Sequence, residues 1–343
     1  MIKIQKLDIY LPRFPENQVF DSRDLSFYKN NLKKTKKSNF FNIINKNKTS
    51  EIRAAWNKLV VNKKYEYYSK NIFLLDIKSS NSFFRGILCG VSSKVLNNEI
   101  VVPHEKVFEE RAEKFKNYLD LVRLQAEPVV FGTSFSKEVI NSIKTSVKNK
   151  PILDFSYKKI NYSIRKLYLK DSINKFSKFY IIDGHHRTSS FKLFSENSKH
   201  DHNLLTFLTD IGNIKTDKFT WQVKEPSIKI INSIKKLDKT INKPDSNLYW
   251  ALYNDEYFLF NKTHLSEMKL SNLEKWILKS GDIIKRHHEI KDKSTKGIIF
   301  NYPMLSIKKI IRSMNKQEIF PQKSTFLEPK MLTGLTINEL VKI

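Results

Sequence analysis

The sequence predicts an α+β fold, a mixed α/β arrangement whose mixed sheet carries the function. Three observations predict it. Apolar strand-like runs and amphipathic helical runs alternate irregularly along the chain rather than in a strict repeat. The run Phe179-Tyr180-Ile181-Ile182 passes through Asp183-Gly184 into a helical pattern ending at Phe194, which reads as strand, tight turn and helix. Hydrophobic residues make up 40% and aromatics 12% of 343 residues, enough for a sizeable core in one large domain or two ordinary ones.

The elements follow in order. The first seventy residues read as helical and loop-rich, with Ser50–Val60 the clearest helix. Ile72–Ile77 and Phe83–Val91 read as strands. From Glu105 onward, Phe108, Ala112, Phe115, Leu119 and Val122 recur at spacings of four and three, one face of a long amphipathic helix. Val129-Val130-Phe131 is the next strand, and Ile152–Leu169 a hairpin turning around Lys158-Lys159-Ile160-Asn161. Leu204–Leu208 follows as a strand, then a helix over Ser227–Leu237 and a hairpin turning at Asn254-Asp255. Helices near Leu270–Leu278 and Ser306–Met314 complete the chain. The seam falls at Glu225-Pro226, because proline fits the start of a new helix, and divides the chain into residues 1–225 and 226–343.

The formal charge is +27, but 52 lysines against ten arginines, with abundant Asn and Ile, is the signature of an AT-rich genome. Runs such as Lys33-Lys34-Thr35-Lys36-Lys37 read as solvated faces, so nucleic acid is not the favoured partner. Against that background arginine is informative where bidentate geometry is needed, at Arg85, Arg111, Arg123 and Arg187. The single cysteine, Cys89, excludes an internal disulfide framework and a cysteine metal cluster. No run is long and apolar enough to span a bilayer or to form a signal-peptide core, so no membrane partner is expected and a cytoplasmic location is.

Three stretches carry chemistry. In Asp183-Gly184-His185-His186-Arg187 the helix start favours an anion, Gly184 permits close backbone approach and Arg187 offers a planar fork to phosphate oxygens. Adjacent imidazoles point in different directions, which disfavours joint metal ligation by His185 and His186. A divalent ion at Asp183 that bridges phosphates fits better, since magnesium takes one or two carboxylates plus phosphate oxygens. The second stretch is Pro103-His104-Glu105, where Glu105 is either a helix-start carboxylate or a general base held by His104. Arg111, six residues on, is a candidate anion clamp. Lys106, Val107 and Phe108 follow Glu105, so the zinc-binding HExxH spacing is absent. The third stretch, Pro321 to Lys330, sets two lysines, Lys323 and Lys330, and two hydroxyls, Ser324 and Thr325, in a proline-bounded loop as donors to an anion, or is a surface loop.

Taken together, His104-Glu105, Asp183-Gly184-His185-His186-Arg187 and Lys323-Ser324-Thr325-Phe326…Pro329-Lys330…Gly334-Leu335 resemble the domain-of-unknown-function family 1015. Arg85-Gly86 and Ala126-Glu127-Pro128-Val129 extend the pattern from about Trp56 to the C-terminus. The pentapeptide in turn resembles the phosphate loop of the ParB/sulfiredoxin superfamily, in which free serine kinases carry a similar pair of motifs. That resemblance implies a ParB/sulfiredoxin-like core over residues from about 70 to 210, with a C-terminal α+β part bearing the KSTFxxPK loop.

It further implies a kinase that uses ATP or ADP, with Mg2+, on a small hydroxylated metabolite such as free serine. Glu105 would take the hydroxyl proton, and Asp183, Gly184, His186 and Arg187 would hold the nucleotide phosphates and the metal. Lys323 and Ser324 would close over the phosphates. His185 stands where sulfiredoxin needs cysteine, which argues against that chemistry.

The sequence also departs from the family. Pro15–Asp21 stands in place of a Pro-Pro-Tyr-Asp segment, and Trp221-Gln222 in place of a His-Arg pair. Thr188 replaces an aromatic and Val107 a threonine. The competing readings are a nucleotide-binding ParB-like switch or nucleic-acid-associated module without turnover, and an inactive scaffold.

Overall fold

The computed structural model describes residues 2–31, 35–80, 82–196, 198, 200–214, 216–217, 220–245, 248–260, 284–287, 297–301, 306–318, 326–327 and 330–340. The expected helix near Leu270–Leu278 lies outside the described residues. The fold is α+β, as its composition of elements predicts. The chain divides into two compact units: Met1–Pro103, Val107–Ile214 and Pro329–Ile343 form the first, and His104–Lys106 with Lys215–Glu328 the second.

In the first unit, β1 (Leu7–Pro12) precedes short helices α1 (Pro15–Gln18), α2 (Leu25–Asn30) and α3 (Phe40–Ile44) and the longer α4 (Thr49–Val61). Then come β2 (Tyr65–Asn71), β3 (Phe73–Lys78), β4 (Phe83–Ser92), β5 (Val101–Val102), α5 (Glu109–Val122), β6 (Leu124–Gln125), β7 (Val129–Thr133) and α6 (Lys137–Val147). β8 (Leu153–Tyr157), β9 (Ile160–Lys166), β10 (Phe179–Asp183), α7 (His185–Glu196) and β11 (Asn203–Asp210) complete the run. Eight of these strands form one sheet in the order β5-β10-β7-β11-β4-β3-β9-β8. It is mixed: β10 runs parallel to β5 and antiparallel to β7, and β11 runs parallel to β7 and antiparallel to β4.

Its central strands are apolar on both faces, as a sheet covered on both sides requires. Phe73, Leu74, Ile87, Val91, Phe131 and Leu208 are all fully buried. Leu119 of α5, Val139 and Ile143 of α6, and Phe191 and Phe194 of α7 join this core. A second cluster gathers Phe20, Phe40, Phe41 and Trp56 with Val122 and Ile337.

The C-terminal stretch 330–340 is sewn into the first unit. Thr333 bridges Phe20, Ile337 bridges Tyr10, and Asn338–Glu339 pairs with β6. The Trp56 indole donates to Glu339 at 2.5 Å, and the Tyr65 hydroxyl donates to the Gly334 carbonyl at 3.0 Å.

Both predicted hairpin turns are present and share one conformation. Lys158-Lys159 and Asn254-Asp255 are two-residue loops with both residues at positive φ. That geometry matches the strand twist but suits Asn, Asp and Gly, so the lysine pair is strained. Lys159→Gly is expected to raise stability by about 0.5–1 kcal/mol, read as a higher denaturation midpoint with an unchanged denaturant slope.

The structure corrects the reading of α5. The helix begins at Glu109 rather than after Glu105, so Glu105 does not cap it. Ala112, Leu119 and Val122 are buried as the spacing predicts, but Phe108 and Phe115 are exposed, Phe108 to 59%. Helical spacing gives the face a side chain shares, not how far along the helix its partners extend. Strands β1 and β2 and helix α6 were not anticipated, although Ser136 caps α6 by accepting from the Val139 N–H.

In the second unit, β12 (Thr216–Asp217) leads to β13 (Thr220–Val223), α8 (Ile228–Ile234), β14 (Asp238–Thr240), β15 (Trp250–Tyr253), β16 (Glu256–Leu259), β17 (Ile284–His287) and β18 (Ile298–Asn301). A helix over Ile307–Asn315 and β19 (Phe326–Leu327) follow. Six of these strands form an antiparallel sheet in the order β14-β16-β15-β18-β13-β17, and β12 pairs with β19. Trp221 and Gln222 are buried in β13.

Candidate functional site

The opening motif folds as its pattern requires. β10 ends at Asp183, Gly184 turns at φ +95°, and α7 starts at His185. The turn is tied to the first helical turn by Thr188, whose backbone N–H and hydroxyl both donate to the Gly184 carbonyl. A Cβ on Gly184 would lie 2.9 Å from Val129 Cγ1 and 3.3 Å from an Arg187 nitrogen, so glycine is required by both torsion and space.

Asp183 and Arg187 sit one helical turn apart and meet, Arg187 Nη2 donating to Asp183 Oδ2 at 2.8 Å. Lys330 Nζ donates to the other carboxylate oxygen, Oδ1. Burial would raise the Asp183 carboxyl, but the Lys330 and Arg187 charges outweigh it and hold the group at about 2. Asp183 is therefore ionised at any physiological pH.

The Arg187 fork is directed inward. Its Nη1 donates to the Glu127 and Pro128 carbonyls at 2.9 and 2.8 Å, and Nη2 also lies 2.9 Å from Glu127 Oε1. The second Glu127 oxygen accepts from the Thr333 hydroxyl at 2.7 Å. Arg187 thus grips two carboxylates and two carbonyls and fixes the segment before β7 against the turn. Its expected role as an open phosphate fork gives way to a positioning one, because these acceptors occupy both terminal nitrogens.

The two histidines diverge as adjacency predicts. His185 is 7% exposed and close enough to Asp183 for its charge to act there. His186 turns toward α5 and accepts the Phe108 backbone N–H on Nε2 at 3.3 Å. Burial and then the Arg111 charge lower its pKa below the usual imidazole value. It is consequently neutral at pH 7, a hydrogen-bonding group rather than a charge.

Arg111, in the first turn of α5, is exposed, lies over the Phe115 ring at 5.6 Å and acts on His186. Arg111→Gln is expected to raise the His186 pKa toward the ordinary imidazole value; NMR titration of the ring protons checks it.

Of the remaining candidates, His104 and Glu105 belong to the second unit. There His104 is fully buried, with Nε2 3.7 Å from Glu105 Oε1, and Glu105 is partly exposed in a β-bridge. Lys323 and Ser324 lie outside the described residues. Lys330, the second lysine of the third stretch, is brought to Asp183, whereas Glu127 and Thr333 are not site residues that the sequence reading names, although both fall within motifs that the family resemblance rests on.

The expected magnesium ion does not fit at Asp183. Each carboxylate oxygen already accepts from a cation, so a divalent ion would approach against an ammonium and a guanidinium. Among the described residues, no three His, Cys, Asp or Glu side chains gather to hold a metal.

Fold and site together define an α+β protein whose mixed sheet ends in a charged strand–turn–helix. The chain belongs to the family described as protein of unknown function (DUF1015), which it matches over residues 27–216. No curated protein matches it.

Among solved structures it is similar to SbnI with C-terminal truncation from Staphylococcus aureus, at 15% identity and TM-score 0.45, covering 72% of this chain and 85% of that one. It is also similar to a conserved hypothetical protein from Pyrococcus furiosus, at 11% identity and TM-score 0.41, with coverage of 72% and 94%. A third is a free serine kinase in complex with AMP, at 10% identity and TM-score 0.41, with coverage of 72% and 90%. Among the described residues no helix is long and apolar enough to cross a membrane.

Proposed function

We propose that this chain is a nucleotide-dependent phosphotransferase acting on a small hydroxylated metabolite, with free serine as the first substrate to test. The observation that carries the reading is the Asp183–Arg187 turn at the positive end of α7, with Lys330 docked on it and Arg111 beside His186. Phosphoryl transfer requires positioning and neutralisation of charge more than covalent help, and cations fixed beside a helix start supply both. The motif resemblance supports ATP or ADP as phosphate donor and gives the role of base to Glu105.

In this reading Glu105 takes the proton of the attacking hydroxyl, with His104 holding the carboxylate. His186 donates a hydrogen bond through the ring nitrogen opposite the one that accepts from Phe108. Arg187 and Glu127 keep the turn in shape. No step is assigned to a metal held by Asp183.

Incubation with serine and either ATP or ADP is expected to yield phosphoserine, read by phosphorus NMR. Glu105→Gln is expected to slow turnover by about 10²–10⁴-fold with a small change in KM. Turnover unchanged by that substitution would remove Glu105 from the role of base. Saturable nucleotide binding without phosphoserine would favour a nucleotide-binding switch instead.

A further inference from the structure

We infer that Arg123, where α5 ends beside the last turn of α7, forms a second anion site that takes a phosphate or carboxylate oxyanion on its guanidinium. The site is separate from the Asp183 turn. Phe194, the ring against which Arg123 lies, follows His185 by about 14 Å along α7.

Three observations carry the inference. First, Arg123 has no counter-charge: among the described residues no carboxylate pairs with its guanidinium. The acids next to it and to His202 in sequence are engaged elsewhere. Asp120 holds Lys116 Nζ at 3.0 Å, and Asp201 accepts from the Ser92 and Ser93 hydroxyls at 2.8 and 3.0 Å. Second, most of its hydrogen-bonding capacity is unspent. Nε donates to the Asp120 carbonyl at 3.0 Å, an ordinary helix-end contact, but Nη1 is sealed from solvent with no acceptor. A guanidinium N–H buried without an acceptor is costly, and an oxyanion relieves that cost. The Phe194 ring, 5.0 Å below the guanidinium, offsets part of the desolvation but supplies no lone pair.

Third, a buried polar group stands at the same ring. His202 is 7% exposed, packs on Phe194 at 5.0 Å and shares a 2.8 Å hydrogen bond with the Ser198 hydroxyl. Burial and then the Arg123 charge lower its pKa, so the imidazole is neutral at pH 7 and the arginine supplies the charge.

The guanidinium issues from a fixed point. Arg123 sits at φ +60°, and the Leu340 N–H donates to its carbonyl at 2.9 Å. The residue as a whole is partly exposed, which leaves a route from solvent. The planar fork of arginine suits both ligand classes, since each offers paired oxygens.

Thermal melts of the full chain and of Arg123→Gly test the inference, in inorganic phosphate, in succinate and in sodium chloride of matched ionic strength. The variant is expected to fold, because glycine suits φ +60°. Phosphate or succinate is expected to raise the wild-type midpoint by about 2–5 °C more than that of the variant. An anion held at the Asp183 turn stabilises both proteins alike and cancels in the comparison. A second measurement needs no variant. The effective anion is expected to shift the Arg123 Nε–Hε resonance and to raise the His202 pKa, because it neutralises the charge that lowers it.

A gain from phosphate alone supports a phosphate-type ligand, and a gain from succinate alone a carboxylate. Equal gains in the two proteins would overturn the site, as would an Arg123 resonance and a His202 titration that neither anion moves.

Discussion

Asp183→Ala is expected to destabilise the protein by about 3 kcal/mol, because it strands the Lys330 and Arg187 charges together. The loss lies at the low end for a broken buried pair, since 21% of the Asp183 side chain still reaches solvent. Denaturant unfolding of the wild-type protein and the variant checks it. The same carboxyl sets an acid limb. Its folded pKa, about 2, lies below the ordinary value of 3.8, so the stability it provides is complete above about pH 4. That stability drains as pH falls through about 2. The variant is expected to lack this part of the acid transition.

Gly184→Ala is the second large effect. The new methyl would occupy a backbone at φ +95° and press on Val129 Cγ1, a strand residue in the core. Positive φ and overlap each cost on the order of 1–3 kcal/mol, so a total of about 3 kcal/mol is expected. The functional loss should exceed what that figure alone would give. The methyl also lies 3.3 Å from the Arg187 nitrogen that holds Asp183, so relief of the clash moves the arginine. Thermal melts together with pyrophosphate titration separate the two parts: a variant that remains folded yet binds weakly shows that turn geometry, rather than bulk stability, carries the binding.

What the sequence reveals follows from how far each signal reaches along the chain. The β10–Gly184–α7 turn was legible because strand period, glycine and helix period sit within sixteen residues. The Lys158-Lys159 and Asn254-Asp255 hairpins were legible for the same reason. Helix α5 was half legible: its buried stripe is real, but Phe108 lies where the chain meets His186 instead of the core. The strand pair β1–β2 was not legible, because its partners are separated by more than fifty residues and Tyr65–Asn71 is polar on much of its surface.

The same distance hid the site's electrostatics. Asp183, Glu127 and Lys330 each stood in a quoted motif, but nothing local says that Lys330 crosses 147 positions to reach Asp183. Local sequence offered Arg187 as a phosphate fork and Asp183 as a metal ligand. Topology turned the first inward and neutralised the second. The charged groups were all visible; which of them face a ligand is a property of the fold.

The central claim is that this turn binds the phosphates of a nucleotide. Calorimetric titration of the full chain with ATP and ADP, repeated with pyrophosphate as competitor, tests it most directly. The account predicts saturable binding of at least one nucleotide, displaced by pyrophosphate and weakened in Gly184→Ala. Absence of binding to either nucleotide, or binding that pyrophosphate does not displace, would contradict it.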